Sequence, residues 1–275
     1  MLGPSLLVRT ISVATSKGSA KASWQYHSRS DSHSKVACWT VLFDMIEACD
    51  VFRKHVGEGK VGFAINHVMV GKIPKTLDLV VCRVPPRGRR GTRRSFREVG
   101  ESYGVQFAAE DIARLDALPN LEEERRDDVS EVLIALEAKA CMTEHAKSLP
   151  RLFAEILATG FLAKQAVPSC LSAAYAVVNA ADSFVTPSNN KTNRHDQPHD
   201  ARMVVEMLAS AVPTSSEFRF GYDAIGATVI ACRNDGSTVS LIQGDPAPGP
   251  RDHLRYEQMI QKLCSRYRER FGNTL

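Results

Sequence analysis

Thr76-Leu77-Asp78-Leu79-Val80-Val81-Cys82 and Val132-Leu133-Ile134-Ala135-Leu136-Glu137-Ala138-Lys139 are two short apolar runs that carry charge inside them. Runs of this length, rich in Val, Ile and Leu, read as buried strands. Side chains alternate between the two faces of a strand, so Glu137 and Lys139 share one face. Burying Asp78, Glu137 and Lys139 is costly unless the charges meet each other or a metal ion. Both outcomes stay open at this point: an ion-paired core, or a site.

Working outward, Val36, Trp39, Leu42, Phe43, Ile46, Cys49 and Phe52 recur at helical spacing. They predict a helix from 34 to about 55, ended by Gly57 and Gly59. Residues 61–70 read as a strand and 71–75 as a turn, so a hairpin leads into the Asp78 strand. On the other side, Ser148 reads as the N-cap of a helix reaching about 163. A strand at 173–180, a polar loop at 186–200 and an amphipathic helix at 201–211 follow. Strands at 225–232 and 238–242 flank Asn234-Asp235-Gly236, a hairpin signal. The last helix spans about 252–271, and its stripe of Tyr256, Ile260, Leu263, Tyr267 and Phe271 reads as core or as a dimer face. Residues 85–128 break the pattern and read as an insertion with a weak helix near 108–118. Residues 1–30 read as a flexible leader. The first twenty hold Arg9, Lys17 and several serines but no acid, a composition that transit peptides share. The order of elements predicts an α/β fold with one mixed central sheet, as a single domain over 31–275.

An acidic residue on one apolar strand, then Glu-x-Lys on the next, resembles the PD-(D/E)xK nuclease superfamily. The likeness covers roughly residues 31–180 and rests on motif order. It implies a restriction-endonuclease-like central sheet flanked by helices, with 85–128 as an insertion and a C-terminal α/β extension. It implies a metal-dependent DNA endonuclease, in its most specific form a type II restriction enzyme. Such an enzyme is a homodimer if it cuts both strands of a symmetric site. Asp78, Glu137 and the backbone carbonyl of Ala138 would hold Mg²⁺, for which Mn²⁺ can be exchanged. Lys139 would orient or help deprotonate the attacking water, or hold the phosphate. The leading helix often supplies a further acid in this family. Asp44, Glu47 and Asp50 are the candidates, and Glu47, one residue beyond the apolar stripe, is the choice. Two departures stand out: Leu77 precedes Asp78 where the motif's name has Pro, and 58 residues separate Asp78 from Glu137.

Nucleic acid needs cations. Arg87, Arg89, Arg90, Arg93, Arg94 and Arg97 crowd one glycine-rich stretch, a candidate DNA clamp. An alternative is a solvated basic loop balanced by the acidic run at 122–128. His145, Lys147 and Arg151 follow the Glu-x-Lys strand and are candidates for the scissile phosphate. Arg29-Ser30-Asp31-Ser32-His33-Ser34-Lys35 opens the first helix, where capping by Asp31, Ser32 or Ser34 competes with phosphate binding.

The remaining composition narrows the class. At 275 residues and 44% hydrophobic content the chain can bury a substantial core, and a net charge of +4 says little about partners. Seven widely spaced cysteines without a C-x-x-C read as reduced thiols of a cytoplasmic protein. No run approaches the length of a membrane span. There is no phosphate loop, no G-x-G-x-x-G and no G-x-S-x-G. His195 and His199 have zinc-like spacing, but Pro198 lies between them. Two competitors to the nuclease remain: a catalytically silent nucleic-acid-binding or defence-complex subunit with the same fold, and an unrelated α/β protein whose Asp78, Glu137 and Lys139 form an internal ion pair.

Overall fold

The computed structural model describes residues 1–14, 16–17, 23–69, 73–84, 92–123, 131–211 and 221–275. Helix α1 (Gly3–Ile11) comes first, then the paired short strands β1 (Ser16–Lys17) and β2 (Ser23–Trp24). The first predicted long helix is present but divided at Cys49, whose extended backbone separates α2 (Ser32–Ala48) from α3 (Asp50–Gly57). Strands β3 (Val61–Met69) and β4 (Lys75–Arg83) pair antiparallel, as the hairpin reading requires. The insertion contributes β5 (Thr92–Arg94), α4 (Phe96–Ser102), α5 (Ala109–Asp116) and β6 (Leu121–Glu123). Then come β7 (Glu131–Cys141), α6 (His145–Ala166), β8 (Leu171–Asn179), β9 (Ser183–Thr186), β10 (Lys191–Arg194) and α7 (His199–Ser210). Strands β11 (Ala224–Ala231) and β12 (Ser240–Ile242) and helix α8 (Tyr256–Phe271) end the chain.

Eight strands form one mixed sheet in the order β12-β11-β8-β7-β4-β3-β6-β5. Strands β3, β4 and β7 form an antiparallel meander, and β7, β8 and β11 run parallel. A parallel neighbour needs a crossover, which α6 supplies between β7 and β8. Helices α1, α2 and α8 share one apolar cluster with the sheet, built around Trp39, Phe43, Tyr175 and Tyr267. Helices α6 and α7 cover the other face through Leu152, Ile156, Val204 and Leu208. Alternation along β7 sorts its side chains between these layers. Leu136 and Ala138 join the α2 side, while Ala135 belongs to a cluster with Ala163 of α6. Glu137 and Lys139 therefore face α6.

Several expectations need correction. Residues 1–30 are not a flexible leader throughout, because α1 is docked in the core. Leu6, Leu7 and Ile11 are buried, and the backbone N–H groups of Leu2 and Gly3 donate to the Asp44 carboxylate at 3.0 and 2.8 Å. Burying three aliphatic side chains is worth about 1.5–3 kcal/mol each, enough to hold a short helix that would not persist alone. Further along, the Asn234 side chain accepts from Tyr26 N–H at 2.9 Å and donates to its carbonyl at 3.1 Å. The described part of the insertion extends the sheet edge and packs on α2, with the Trp39 indole donating to the Phe96 carbonyl at 3.1 Å. The α8 stripe is buried within this chain, which removes it as a dimer face. Helix α6 begins one turn before Ser148, and the Ser148 hydroxyl donates back to the His145 carbonyl at 3.0 Å. The predicted loop at 186–200 holds the hairpin turn between β9 and β10. Asn234 and Gly236 do take left-handed backbone, φ 59° and 89°, between β11 and β12, though the loop is wider than a two-residue turn.

Candidate active site

Asp78 of β4 and Glu137 of β7 meet where the sheet loses its regular pairing. The β4–β7 ladder ends at Leu79–Leu136, one residue short of both carboxylates. On the other side of β4, the pair that would join Asn66 to Asp78 is skipped, and Asn66 has φ 53°. A left-handed residue inside a strand bends the backbone and frees the position opposite it. On the β7 side, just past the end of the ladder, Asp78 Oδ2 accepts the Ala138 N–H at 2.8 Å. In an extended strand the N–H and C=O of one residue leave by the same edge, so the Ala138 carbonyl also faces Asp78.

Glu137 is 3% exposed. Its Oε1 receives Lys139 Nζ at 2.7 Å and Lys75 Nζ at 3.4 Å, while its Oε2 is buried and has no hydrogen-bond partner among the described residues. Lys139 also reaches Glu155 of α6 at 3.2 Å, and Arg151 lies 3.6 Å from the same carboxylate. Burial, then the nearby Glu137 charge, lifts the Asp78 carboxyl to about 6. Burial presses the Lys139 ammonium down, but Glu137 and Glu155 outweigh it and leave Lys139 above its ordinary value. The ammonium therefore stays charged at neutral pH. Two carboxylates, one raised by the other, with an unsatisfied buried oxygen and a backbone carbonyl beside them, fit a hard divalent cation that keeps several waters. Among the described residues no group of three or more His, Cys, Asp or Glu side chains is placed to hold a metal ion.

The structure thus brings Asp78, Glu137, Ala138 and Lys139 together. It does not bring Glu47 to them: Glu47 pairs with Arg114 of α5, Nε to Oε1 at 3.1 Å. Asp44 is spent on the start of α1, and Asp50 opens α3. His145 is buried, with Nε2 donating to the Asn179 carbonyl at 2.8 Å, so it braces the chain and is not offered to a phosphate. Lys147 is exposed and 3.2 Å from Glu144, and Arg151 is exposed. Arg94 is committed to Glu123 at 3.1 Å and to the Glu98 carbonyl at 2.8 Å, and Arg97 to Glu101 at 2.8 Å. Arg93 pairs in register with Glu122, whose partner on β3 is Gly62. That places it three strand spacings and four residues from Asp78, on the order of 20 Å. Arg87, Arg89 and Arg90 lie outside the described residues. Asp31 takes Lys35 at 2.8 Å instead of capping α2 through its side chain.

Three residues at the site escape a reading of the sequence. Lys75 reads as the end of a turn, Glu155 is one acid on a long helix, and Asn66 carries no signal that separates a bent strand from a straight one. Only the parity of Glu137 and Lys139 points toward α6, and nothing in the sequence names Glu155 as the partner. No protein family, no curated protein and no solved structure matches this chain.

Proposed function

We propose that this chain is a Mg²⁺-dependent DNA endonuclease of the PD-(D/E)xK type, with Mn²⁺ able to substitute. The observation that carries the reading is the buried Glu137 Oε2, unpartnered among the described residues, beside Asp78 and next to Lys139. Support also comes from topology. A helix, an antiparallel three-strand meander, a second helix and a strand parallel to the third follow in that order, as a restriction-endonuclease-like core requires.

Asp78, Glu137 and the Ala138 carbonyl would hold the ion. When bound, the ion supplies charge neutralisation for the scissile phosphate and acidifies water. The side chains do the rest. Lys139, steadied by Glu137 and Glu155, orients the attacking water or the phosphate as a fixed point charge. Lys75 adds a second positive charge beside Glu137 Oε1 while DNA is absent.

The test is cleavage of plasmid and linear DNA by purified protein with Mg²⁺, Mn²⁺ or chelator. Metal-dependent cutting is expected, lost in folded Lys139→Ala and Asp78→Asn variants; discrete bands identify a restriction enzyme. Metal stabilisation is read in parallel. At about a hundredfold excess over its dissociation constant, an ion that binds only the folded state adds about 2.7 kcal/mol. The absence of both cutting and stabilisation sinks the proposal.

One observation favours a second reading, a structural charge network: Lys75 and Lys139 pair with Glu137, and Lys139 pairs in turn with Glu155. It predicts that Lys139→Ala costs about 3–5 kcal/mol, as loss of one partner of a buried pair does. A silent nucleic-acid-binding subunit predicts binding that survives Lys139→Ala and no cutting by the wild type.

A further inference from the structure

Beyond the carboxylates, the parallel strands β7 and β8 end in open space under the β9–β10 hairpin. A cleft of about 400 Å³ lies there. Ser148, Arg151, Lys191 and Asn193 supply polar groups together with the acidic Glu144, and Tyr26 and Phe184 lie buried behind them. A second cleft of about 410 Å³ lies on the other side of β10, lined by Lys147, Lys191 and Arg194 together with Glu144, His195 and Asp200. Glu144, Lys191 and Asn193 line both, so β10 with the Glu144 turn beside it is the ridge between them. The ridge is braced: the Asn193 amide donates to Thr143 Oγ1 at 3.1 Å and Thr186 Oγ1 at 2.9 Å. Lys191 and Arg194 are exposed, and among the described residues neither has an acidic partner. Glu144 is already turned to Lys147. Arg151 links the first cleft to the candidate active site, because Glu155 holds both Arg151 and Lys139.

The geometry points to the β9–β10 hairpin as the element that grips a single, unpaired nucleic-acid strand and leads it to the scissile position, a reading that rests on the proposed nuclease site. Each cleft is at the small end of ligand pockets, with room for roughly one nucleotide, so a duplex lies across the ridge and does not enter. Cations matched to phosphates, with amides and hydroxyls matched to base edges, are what unpaired nucleotides need.

The test is fluorescence anisotropy of a labelled oligodeoxynucleotide with the full chain in chelator, as single strand and as duplex, over a salt series. For the double variant Lys191→Ala/Arg194→Ala, circular dichroism confirms the fold. The slope of log affinity against log salt on the single strand is expected to flatten by about 1.4, or 0.7 for each phosphate that is no longer neutralised. Lys262→Ala on α8, across the sheet, removes positive charge elsewhere and is expected to leave the slope unchanged. An unaltered slope in the double variant, equal binding of duplex, or no binding by the wild type overturns the inference. Plasmid cleavage separates the two ideas. Asp78-dependent cutting with hairpin-independent binding keeps the nuclease and discards the hairpin, whereas hairpin-dependent binding without cutting does the reverse.

Discussion

Asp78 sets the balance between stability and chemistry at this site. Its carboxyl is raised, first by burial and then by Glu137, to about 6. The folded chain thus holds this proton more tightly than the unfolded chain between 3.8 and about 6. In that window the unfolded state has the fewer bound protons, so this group's contribution to stability falls as pH rises and is at its worst above about 6. Asp78→Asn removes the penalty. A urea midpoint at pH 7.5 should show the variant more stable than wild type by about 1–2 kcal/mol, allowing for partial solvation, since one pKa unit is worth about 1.4 kcal/mol. The gain should vanish near pH 4. A variant that is destabilised at pH 7.5 contradicts this electrostatic account. Residue-level legibility follows the same physics. Asp78, Glu137 and Lys139 are readable because charge inside an apolar run is expensive and has few explanations. Glu155 and Lys75 are not, because charge on a helix or beside a turn is cheap and common.

Elements are legible where their periodicity is strong and mistaken where a partner distant in sequence decides. The β3–β4 hairpin, β7, β8 and α8 follow from local pattern alone. Helix α1 does not: nine residues are too few for a stable isolated helix, and only the groove beside α2 and the Asp44 carboxylate make it one. Its stability is therefore borrowed from packing. Leu7→Ala, which empties a fully buried position, should cost about 2–5 kcal/mol by denaturant unfolding. A loss below about 1 kcal/mol would mean that α1 is peripheral. The β9–β10 hairpin escapes for a different reason. Its strands are short and polar, so no alternation announces them, and the Asn193 and Asn234 side chains complete the geometry through bonds to Thr186 and Val185.

At the scale of the molecule, position overrules composition. The arginine-rich stretch is the most basic in the sequence, yet Arg93 and Arg94 occupy the sheet's far edge. Arg93→Ala/Arg94→Ala should leave metal-dependent cleavage within about twofold of wild type. Its measurable effect should be a small loss of stability from the pair with Glu123, about 0–1 kcal/mol. A drop in cleavage of tenfold or more would restore these arginines as part of the DNA interface. The fold class and the layer order are foreseeable because each apolar face demands a cover. The location of the basic stretch is not, because it depends on which end of β4 it leaves from.

That end has a consequence of its own. β4 runs away from Asp78 and β7 runs back toward Glu137, and at the far end Arg83 clasps Glu131 at 2.6 Å. The chain between Val84 and Glu131 is a detour that departs and returns through one latch. Its described middle is no free appendage, because Phe96, Val99, Leu115 and Leu121 are buried in the main core. The latch explains how 58 residues can separate two carboxylates that the β4–β7 pairing brings side by side.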